Sequence, residues 1–504
     1  MPQGIMLNID DSHYWDSRWR AGIHPGEEDL RRFVRQYRQT QVTDLLLCVG
    51  GRISCCPSRT WMSHLDKYRQ RVENGQPVDY SDTLLSLVHE VYEVRQLDPY
   101  AIWIDEARRC GLTVWLSVRM NDCHDCLQPT SRLHSDFFHA HPEYRRIRHR
   151  APDGYFDYCF DYGEEPVRRH MLDYLQEILE RYAPDGLELD WQREASCFQP
   201  GHESAACITE FMREARRLTR LAEGAAGHRI LTGVRVPADP QDALDLGFDV
   251  TAWAQEDLVD SITPTARWAS TDTDMPLGLW KRLLRGASAQ LAPGVELLIR
   301  SYHQAPAFYT SWEHVTAAAA QYYSLGADKV YLYNYFDDPG VDGHSYWRDA
   351  ENQPRMSVRP ENLSFLLNVL GDADAVKRQP RCHMLTYRDF VPAWRGRHAR
   401  LPLRCAEGET CQTLRIVTGD VPPGMTATLR LGLLGPKEAK ARVFVNSAPV
   451  QCSGIEACLP AYTEAPLHLY PIGGYAAQSA VIEIQAEHGE LTVDYADVTL
   501  LPRE

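Results

Sequence analysis

No stretch of this chain approaches the roughly 20 consecutive apolar residues that a membrane-spanning helix needs, and no low-complexity tract interrupts it. Positive charge is scarce. The 53 Lys and Arg stand against 69 Asp and Glu, a formal net charge of −16. A diffuse acidic surface repels phosphate backbones and anionic lipid, which argues against nucleic-acid and membrane partners. The opening Met1-Pro2-Gln3-Gly4 has neither the basic start nor the apolar stretch of a secretion signal. With 14 scattered cysteines read as reduced thiols, the expectation is a cytoplasmic protein. A Gly-x-Gly-x-x-Gly after the first apolar run is missing, which counts against a dinucleotide-binding fold. The segment Cys123-His124-Asp125-Cys126 has no second C-x-x-C at zinc-finger spacing. Reduced thiols are therefore preferred there over a metal site assembled with Cys55 and Cys56 of the preceding loop. No cofactor is expected.

What the chain does have is 504 residues, 44% of them hydrophobic and 24% charged, more than one ordinary core accommodates. The first 370 or so repeat one grammar of short apolar run, polar loop and helical pattern. The runs are 4–9, 43–49, 112–118, 186–189, 229–234, 258–262, 295–299 and 329–333. Amphipathic stretches lie between them at 27–40, 99–110, 165–182, 203–222, 277–290 and 311–325. Strands alternating with helices imply a parallel sheet, and eight of them imply a closed (β/α)8 barrel. The phrases Arg109-Cys110-Gly111-Leu112, Pro184-Asp185-Gly186-Leu187 and Leu325-Gly326-Ala327-Asp328 each set a glycine near a helix end, followed by a new strand. After about Leu370 helical spacing gives way to short alternating runs punctuated by Pro422-Pro423-Gly424, Gly435-Pro436 and Gly473-Gly474. These read as an all-β sandwich. The expected division is a barrel at 1–375 and a sandwich at 376–504.

A barrel concentrates chemistry at the C-terminal ends of its strands. In the fourth, Leu187, Leu189 and Trp191 share one face, and Glu188 and Asp190 share the other. The apolar face meets the helices, so both carboxylates point inward, roughly 6–7 Å apart along the strand. Two like charges buried together push at least one pKa upward, which yields an acid and a base from one residue type. A structural ion pair with a neighbouring Arg is the bland alternative. Other strand ends add Asn8 and Asp10 on one face, then Asp11 and His13; Arg119, Asn121, Asp122 and His124; Arg235; Arg300 and His303; and Asn334 with Asp337 and Asp338 beyond. Their convergence implies a wet, charged pocket. Arg119, Arg235 and Arg300 either neutralise the carboxylates or bind an acidic group on a substrate. The loop after the sixth run carries Arg267, Trp268, Asp272 and Asp274, and Asp274 or Asp10 is a candidate to face the strand-four pair. Trp61, Trp191 and Trp268 offer planes for stacking on sugar rings.

At strand four the chain resembles two groups of barrel glycosidases. Asp185-Gly186-Leu187-Glu188-Leu189-Asp190-Trp191 is similar to the D-G-x-D-x-D-W-E signature of family 18 chitinases, whose final Glu is the general acid. Here that place is Gln192 and the middle Asp is Glu188, so chitinase chemistry is not carried over. The first 370 residues more closely resemble the bacterial glycosyl-hydrolase-like barrels related to family 10, through the D-G-[IL]-x-[LF]-D strand and the R-x-N-D segment Arg119-Met120-Asn121-Asp122. Family 10 enzymes place a Glu nucleophile at strand seven, whereas the run 295–299 ends here in Arg300-Ser301-Tyr302-His303. The segment 441–446 is similar to accessory β-sandwiches found on such enzymes. The resemblance points to a glycosidase; the inward-facing strand-four pair then makes Glu188 and Asp190 the expected key acids, and the expected intracellular location favours an oligosaccharide or small glycoside as substrate. Two rival readings remain open: a non-catalytic sugar-binding barrel, and a metal-assisted hydrolase or lyase using the cysteine and histidine loops. Homo-oligomerisation is also left open.

Overall fold

The computed structural model describes residues 3–75, 80–267, 270–334, 360–396, 399–436, 438–459, 462–472 and 478–503. Its N-terminal part is a closed parallel barrel. Strands one to six are Ile5–Ile9, Val42–Gly50, Thr113–Arg119, Gly186–Asp190, Leu231–Pro237 and Ser261–Thr265. Strand seven runs in two pieces, Gln290–Leu291 and Gly294–Val295, and strand eight is Val330–Leu332. The first piece pairs with strand six and the second with strand eight, which pairs in turn with strand one, so the sheet closes on itself. Between the pieces, the Ala292 N–H reaches Ile262 O (2.9 Å) and Pro293 O accepts from Tyr331 N (3.1 Å).

Strand seven thus lies about five residues earlier than the apolar run 295–299 suggests. Pro293 and Gly294 weaken its sequence signal because neither favours a strand interior. Leu298–Ile299 instead pairs antiparallel with Phe308–Tyr309 above the barrel. Five helices fall where amphipathic spacing places them, Glu27–Arg35, Pro99–Arg109, Glu165–Tyr182, Ala205–Ala226 and Trp312–Ser324, whereas the expected helix at 277–290 ends at Leu283 and position 290 already belongs to strand seven. In Glu165–Tyr182, Val167, Met171, Tyr174, Leu175 and Ile178 form the buried stripe that packs on the sheet. Among the described residues, no helix is long and apolar enough to cross a membrane.

Two of the three expected glycine caps hold: Gly111 and Gly326 have φ of +77° and +96°. At the third, the left-handed residue is Ala183, φ +40°. Gly186 serves another purpose. A Cβ there would sit 2.2 Å from the Trp115 ring, which fills the barrel floor with Met6, Leu46 and Ala292. The Trp115 indole N–H is met by Asp44 Oδ1 (3.0 Å), itself paired with Lys329.

The C-terminal part is a β-sandwich. One sheet contains Arg381–Met384, Leu491–Pro502, Met425–Leu434, Leu467–Pro471 and Gly454–Glu456, with Leu403–Cys405 also paired to Leu491–Pro502. The other contains Gln412–Val417, Ser479–His488, Lys440–Val445 and Ala448–Val450. Leu429, Leu431, Val443, Ile482, Ile484, Val493 and Val498 are buried between them. The connection between the first two of these strands, Arg381–Met384 and Leu403–Cys405, crosses the barrel rim. There Arg388 meets Asp239 and Asp242 at 3.0 Å each, and Arg395 Nε meets Asp245 at 2.7 Å.

Candidate active site

Side-chain alternation turns Glu188 and Asp190 into the barrel, as the strand-four pattern requires, while Leu187, Leu189 and Trp191 join the core between sheet and helices. Glu188 Oε1 accepts hydrogen bonds from Ser117 Oγ (2.7 Å) and the Tyr331 hydroxyl (2.9 Å). Burial, reinforced by the charge of Asp190, pushes its carboxyl up to about 7. Asp190 takes both oxygens to Arg235 (3.0 and 3.2 Å) and accepts the N–H groups of Gln192 (3.1 Å) and Arg193 (3.0 Å). The other branch of Arg235 reaches Glu296, and its guanidinium lies 3.5 Å above the Tyr333 ring. Arg235 is fully buried, one cation clamped between two carboxylates. Glu296 follows strand seven directly, and this is the acid that the misplaced run conceals. Burial pushes it up to about 8, against the pull of Arg235 and with the charge of Asp389 adding to the rise.

Above this layer a cavity of about 410 Å³ opens at the C-terminal strand ends, a size suited to a small ligand. Asp10, Arg119, Asp122, His124, Arg193, Glu296 and Asn334 are among its lining residues. Glu188 and Asp190 do not line it; they sit one layer below. Asp10 caps the helix Asp11–Arg20 through Ser12 N (3.1 Å) and pairs with Arg119 (2.5 Å). Arg119 also reaches Asp122 (3.3 Å). Asp122 accepts from His124 N (2.8 Å) and shares Oδ1 with His124 Nδ1 (2.6 Å). Arg193 approaches His124 Nε2 at 2.5 Å and can only donate, so Nε2 accepts and Nδ1 carries the hydrogen given to Asp122. Burial raises the Asp122 carboxyl, but His124, Arg119 and Arg193 outweigh it and hold it well below the usual carboxylate range. Loop two comes close at this point: a Cβ on Gly51 would lie 2.9 Å from Asp122 Cβ.

Several sequence candidates sit elsewhere. Trp191 packs against Tyr162, Phe211 and Phe248, with ring centroids 5.1–5.5 Å away, because its outward face belongs to the core rather than to a ligand. Trp61 is stacked on Tyr174 at 3.9 Å. Asp274 pairs with Arg415 of the sandwich (2.5 Å) and does not line the cavity. Asn121 ties Phe160 by two backbone hydrogen bonds (2.8 and 3.0 Å) and so fixes the loop after strand three. Arg300 donates to His303 O (2.9 Å) in the loop that the shifted strand seven leaves above the barrel, and His303 faces the Tyr387 ring. Trp268, Asp337 and Asp338 lie outside the described residues.

The cysteine loops do not assemble as one cluster. Cys123 Sγ lies 3.2 Å from Cys159 Sγ, Cys126 points to Tyr155 O, and Cys56 bonds with Ser54. Cys55 alone of the four lines the cavity, together with Asp11 and His64. Arg52 lines it too. This buried guanidinium lies 3.8 Å from the Phe138 ring, and none of its three nitrogens has a hydrogen-bond partner among the described residues. Sequence reasoning passed over Glu296, Arg193, Arg52 and His64. Only Glu296 carried a usable signal, the Pro-Gly-Val-Glu that closes a barrel strand.

No protein-family profile matches the chain, and no curated protein matches it in sequence. Solved structures similar to it include an Anoxybacillus α-amylase, 11% identical over 100% of this chain and 98% of that one, with a TM-score of 0.38. A chitinase from Bacillus thuringiensis is 10% identical over 100% and 99%, TM-score 0.39. A glycoside hydrolase family 18 N-acetylglucosaminidase from Paenibacillus barengoltzii is 12% identical over 67% and 96%, TM-score 0.38. The (β/α)8 barrel and its β-sandwich rest on the hydrogen-bonded strand order of this chain itself.

Proposed function

We propose that the protein hydrolyses a glycosidic bond in a small carbohydrate, with Glu296 as general acid and Asp122 as the ionised partner. One observation carries this reading: of the four carboxyl groups lining the cavity, Glu296 and Asp11 are pushed up and Asp122 and Asp10 are pulled down, and Glu296 and Asp122 follow strands that face each other across the barrel. That separation is what acid-base cleavage by paired carboxylates requires. Strands three and seven stand on opposite sides of an eight-stranded barrel, so the two groups approach a substrate from opposite sides. With its pKa about 8, Glu296 keeps its proton at neutral pH and gives it to the leaving oxygen. Asp122, held ionised by Arg119, Arg193 and His124, supports charge at the sugar carbon or draws a proton from water. Asp190 acts through Arg235, setting the position of Glu296 rather than touching substrate, and Glu188 lies beside it, held by Ser117 and Tyr331.

Arg52 favours an acidic sugar. Arg119 and Arg235 are consumed by carboxylates, whereas Arg52 offers the cavity a buried cation with unspent donors. A uronide carboxylate suits its planar fork.

The test is a panel of neutral and acidic aryl glycosides with wild type and Glu296→Gln across pH. Wild type should release the aryl group and lose activity as pH rises through about 8, where Glu296 deprotonates. Glu296→Gln should lose about 10²–10⁴-fold in rate. Sugar binding by calorimetry with no turnover on any substrate replaces this reading with a non-catalytic sugar-binding barrel.

A further inference from the structure

The part of the cavity wall that follows strands one and two carries three groups of another chemistry. Asp11 opens the helix Asp11–Arg20 after strand one, Cys55 lies in the loop after strand two, and His64 opens the helix His64–Glu73. The chain holds these places rigidly: Cys55 N donates to Val49 O (2.9 Å), His64 N donates to Ser54 O (3.0 Å), and Ser63 and Asp66 form a capping box ahead of His64. All three side chains are buried, at 6%, 7% and 4% exposure, yet all three line the cavity. One carboxylate oxygen, one sulfur and one ring nitrogen lie within 4.8 Å of one another. The Nδ1 of His64 is buried and has no hydrogen-bond partner among the described residues, an arrangement that proteins avoid unless something else binds there.

We propose that Asp11, Cys55 and His64 bind one zinc-class divalent transition ion whose remaining coordination position opens into the cavity. The mixed sulfur, nitrogen and oxygen set selects such an ion over magnesium or calcium, which take oxygen ligands. Bonds of about 2.0–2.3 Å in a tetrahedron place ligand atoms about 3.5 Å apart, so the three side chains close on an ion by shifts of about an ångström. Three protein ligands with an open fourth place is the arrangement of a catalytic rather than a structural ion. The Trp15 indole N–H, 3.3 Å from Asp11 Oδ2, orients the carboxylate from behind. Binding releases the Cys55 thiol proton, and carboxylate plus thiolate balance the ion's charge despite the nearby Arg132. This site does not rest on the glycosidase reading, since its geometry involves neither Glu296 nor Asp122.

The experiment is titration of the metal-stripped full chain with Co²⁺, followed by displacement with Zn²⁺. A thiolate-to-cobalt charge-transfer band should grow to one equivalent and vanish on adding zinc. Cys55→Ser should abolish the band, while Cys452→Ser, which alters an exposed thiol, should leave it intact. His64→Gln, with its fold checked by circular dichroism, should weaken cobalt affinity about a hundredfold. No band in the wild type overturns the proposal, and so does an undiminished band in folded Cys55→Ser or an unchanged cobalt affinity in folded His64→Gln. Glycoside turnover enters none of these readouts, so the two readings fail separately.

Discussion

Replacing Glu188 by Gln should flatten the pH dependence of this protein's stability. The folded carboxyl titrates near 7 instead of 4.5 because it is buried and faces the charge of Asp190. Between those values the native protein holds a proton that the unfolded chain has already released. The unfolded state therefore binds fewer protons, and stability falls as pH rises across the window. The contribution is fully present below about 4.5 and gone above about 7. At about 1.4 kcal/mol per pH unit, the gap corresponds to about 3 kcal/mol. A glutamine oxygen still accepts from Ser117 and Tyr331, but the side chain develops no charge at any pH. Urea unfolding of both proteins at pH 5 and pH 8 measures the effect. Because the unfolded carboxyl is already partly ionised at pH 5, wild type should lose about 2.5 kcal/mol more than the variant over that interval. Glu296 and Asp272, which are also raised, titrate in both proteins and cancel in the difference. Parallel pH dependences would show that Glu188 is solvated or compensated, and would refute the argument.

Arg235→Met should destabilise the barrel by about 3–5 kcal/mol, since it strands the buried Asp190 carboxylate without its counter-ion and removes the hydrogen bond that Glu296 accepts. A loss under about 1 kcal/mol in urea unfolding would mean the clamp is not what holds them. If Arg52 receives an acidic group, Arg52→Met should lower kcat/KM for a uronide about tenfold or more relative to the neutral glycoside. An unchanged ratio would remove Arg52 from substrate recognition.

Much of the architecture is legible in the residues because burial imposes a period. Alternation in strand four tells which way Glu188, Asp190 and Trp191 point, and the structure agrees on all three. What alternation does not tell is depth. Glu188 and Asp190 face inward but end one layer beneath the cavity, where Ser117, Tyr331 and Arg235 enclose them. The same reasoning sent Trp191 outward, which already excluded it from stacking on a ligand. Strand seven escaped because Pro293 and Gly294 sit at its closure while Leu297, Leu298 and Ile299 just beyond form a stronger apolar run. That shift of five residues hid Glu296 and promoted Arg300 and His303. Asp11, Cys55 and His64 meet across three segments, and no spacing within one of them announces the meeting. Asp274 failed for a different reason: its partner, Arg415, is 141 residues away in the other domain.

The bridge over the barrel rim has a consequence for how this chain can be cut. Asp242 is wholly inaccessible to solvent and Asp272 nearly so, and their cationic partners, Arg388 and Arg395, come from the connection between the sandwich strands Arg381–Met384 and Leu403–Cys405. A barrel excised near residue 375 would retain these acids and lose their counter-ions. The sandwich is therefore no detachable accessory, and a designer transplanting either half must carry the salt-bridged strap along.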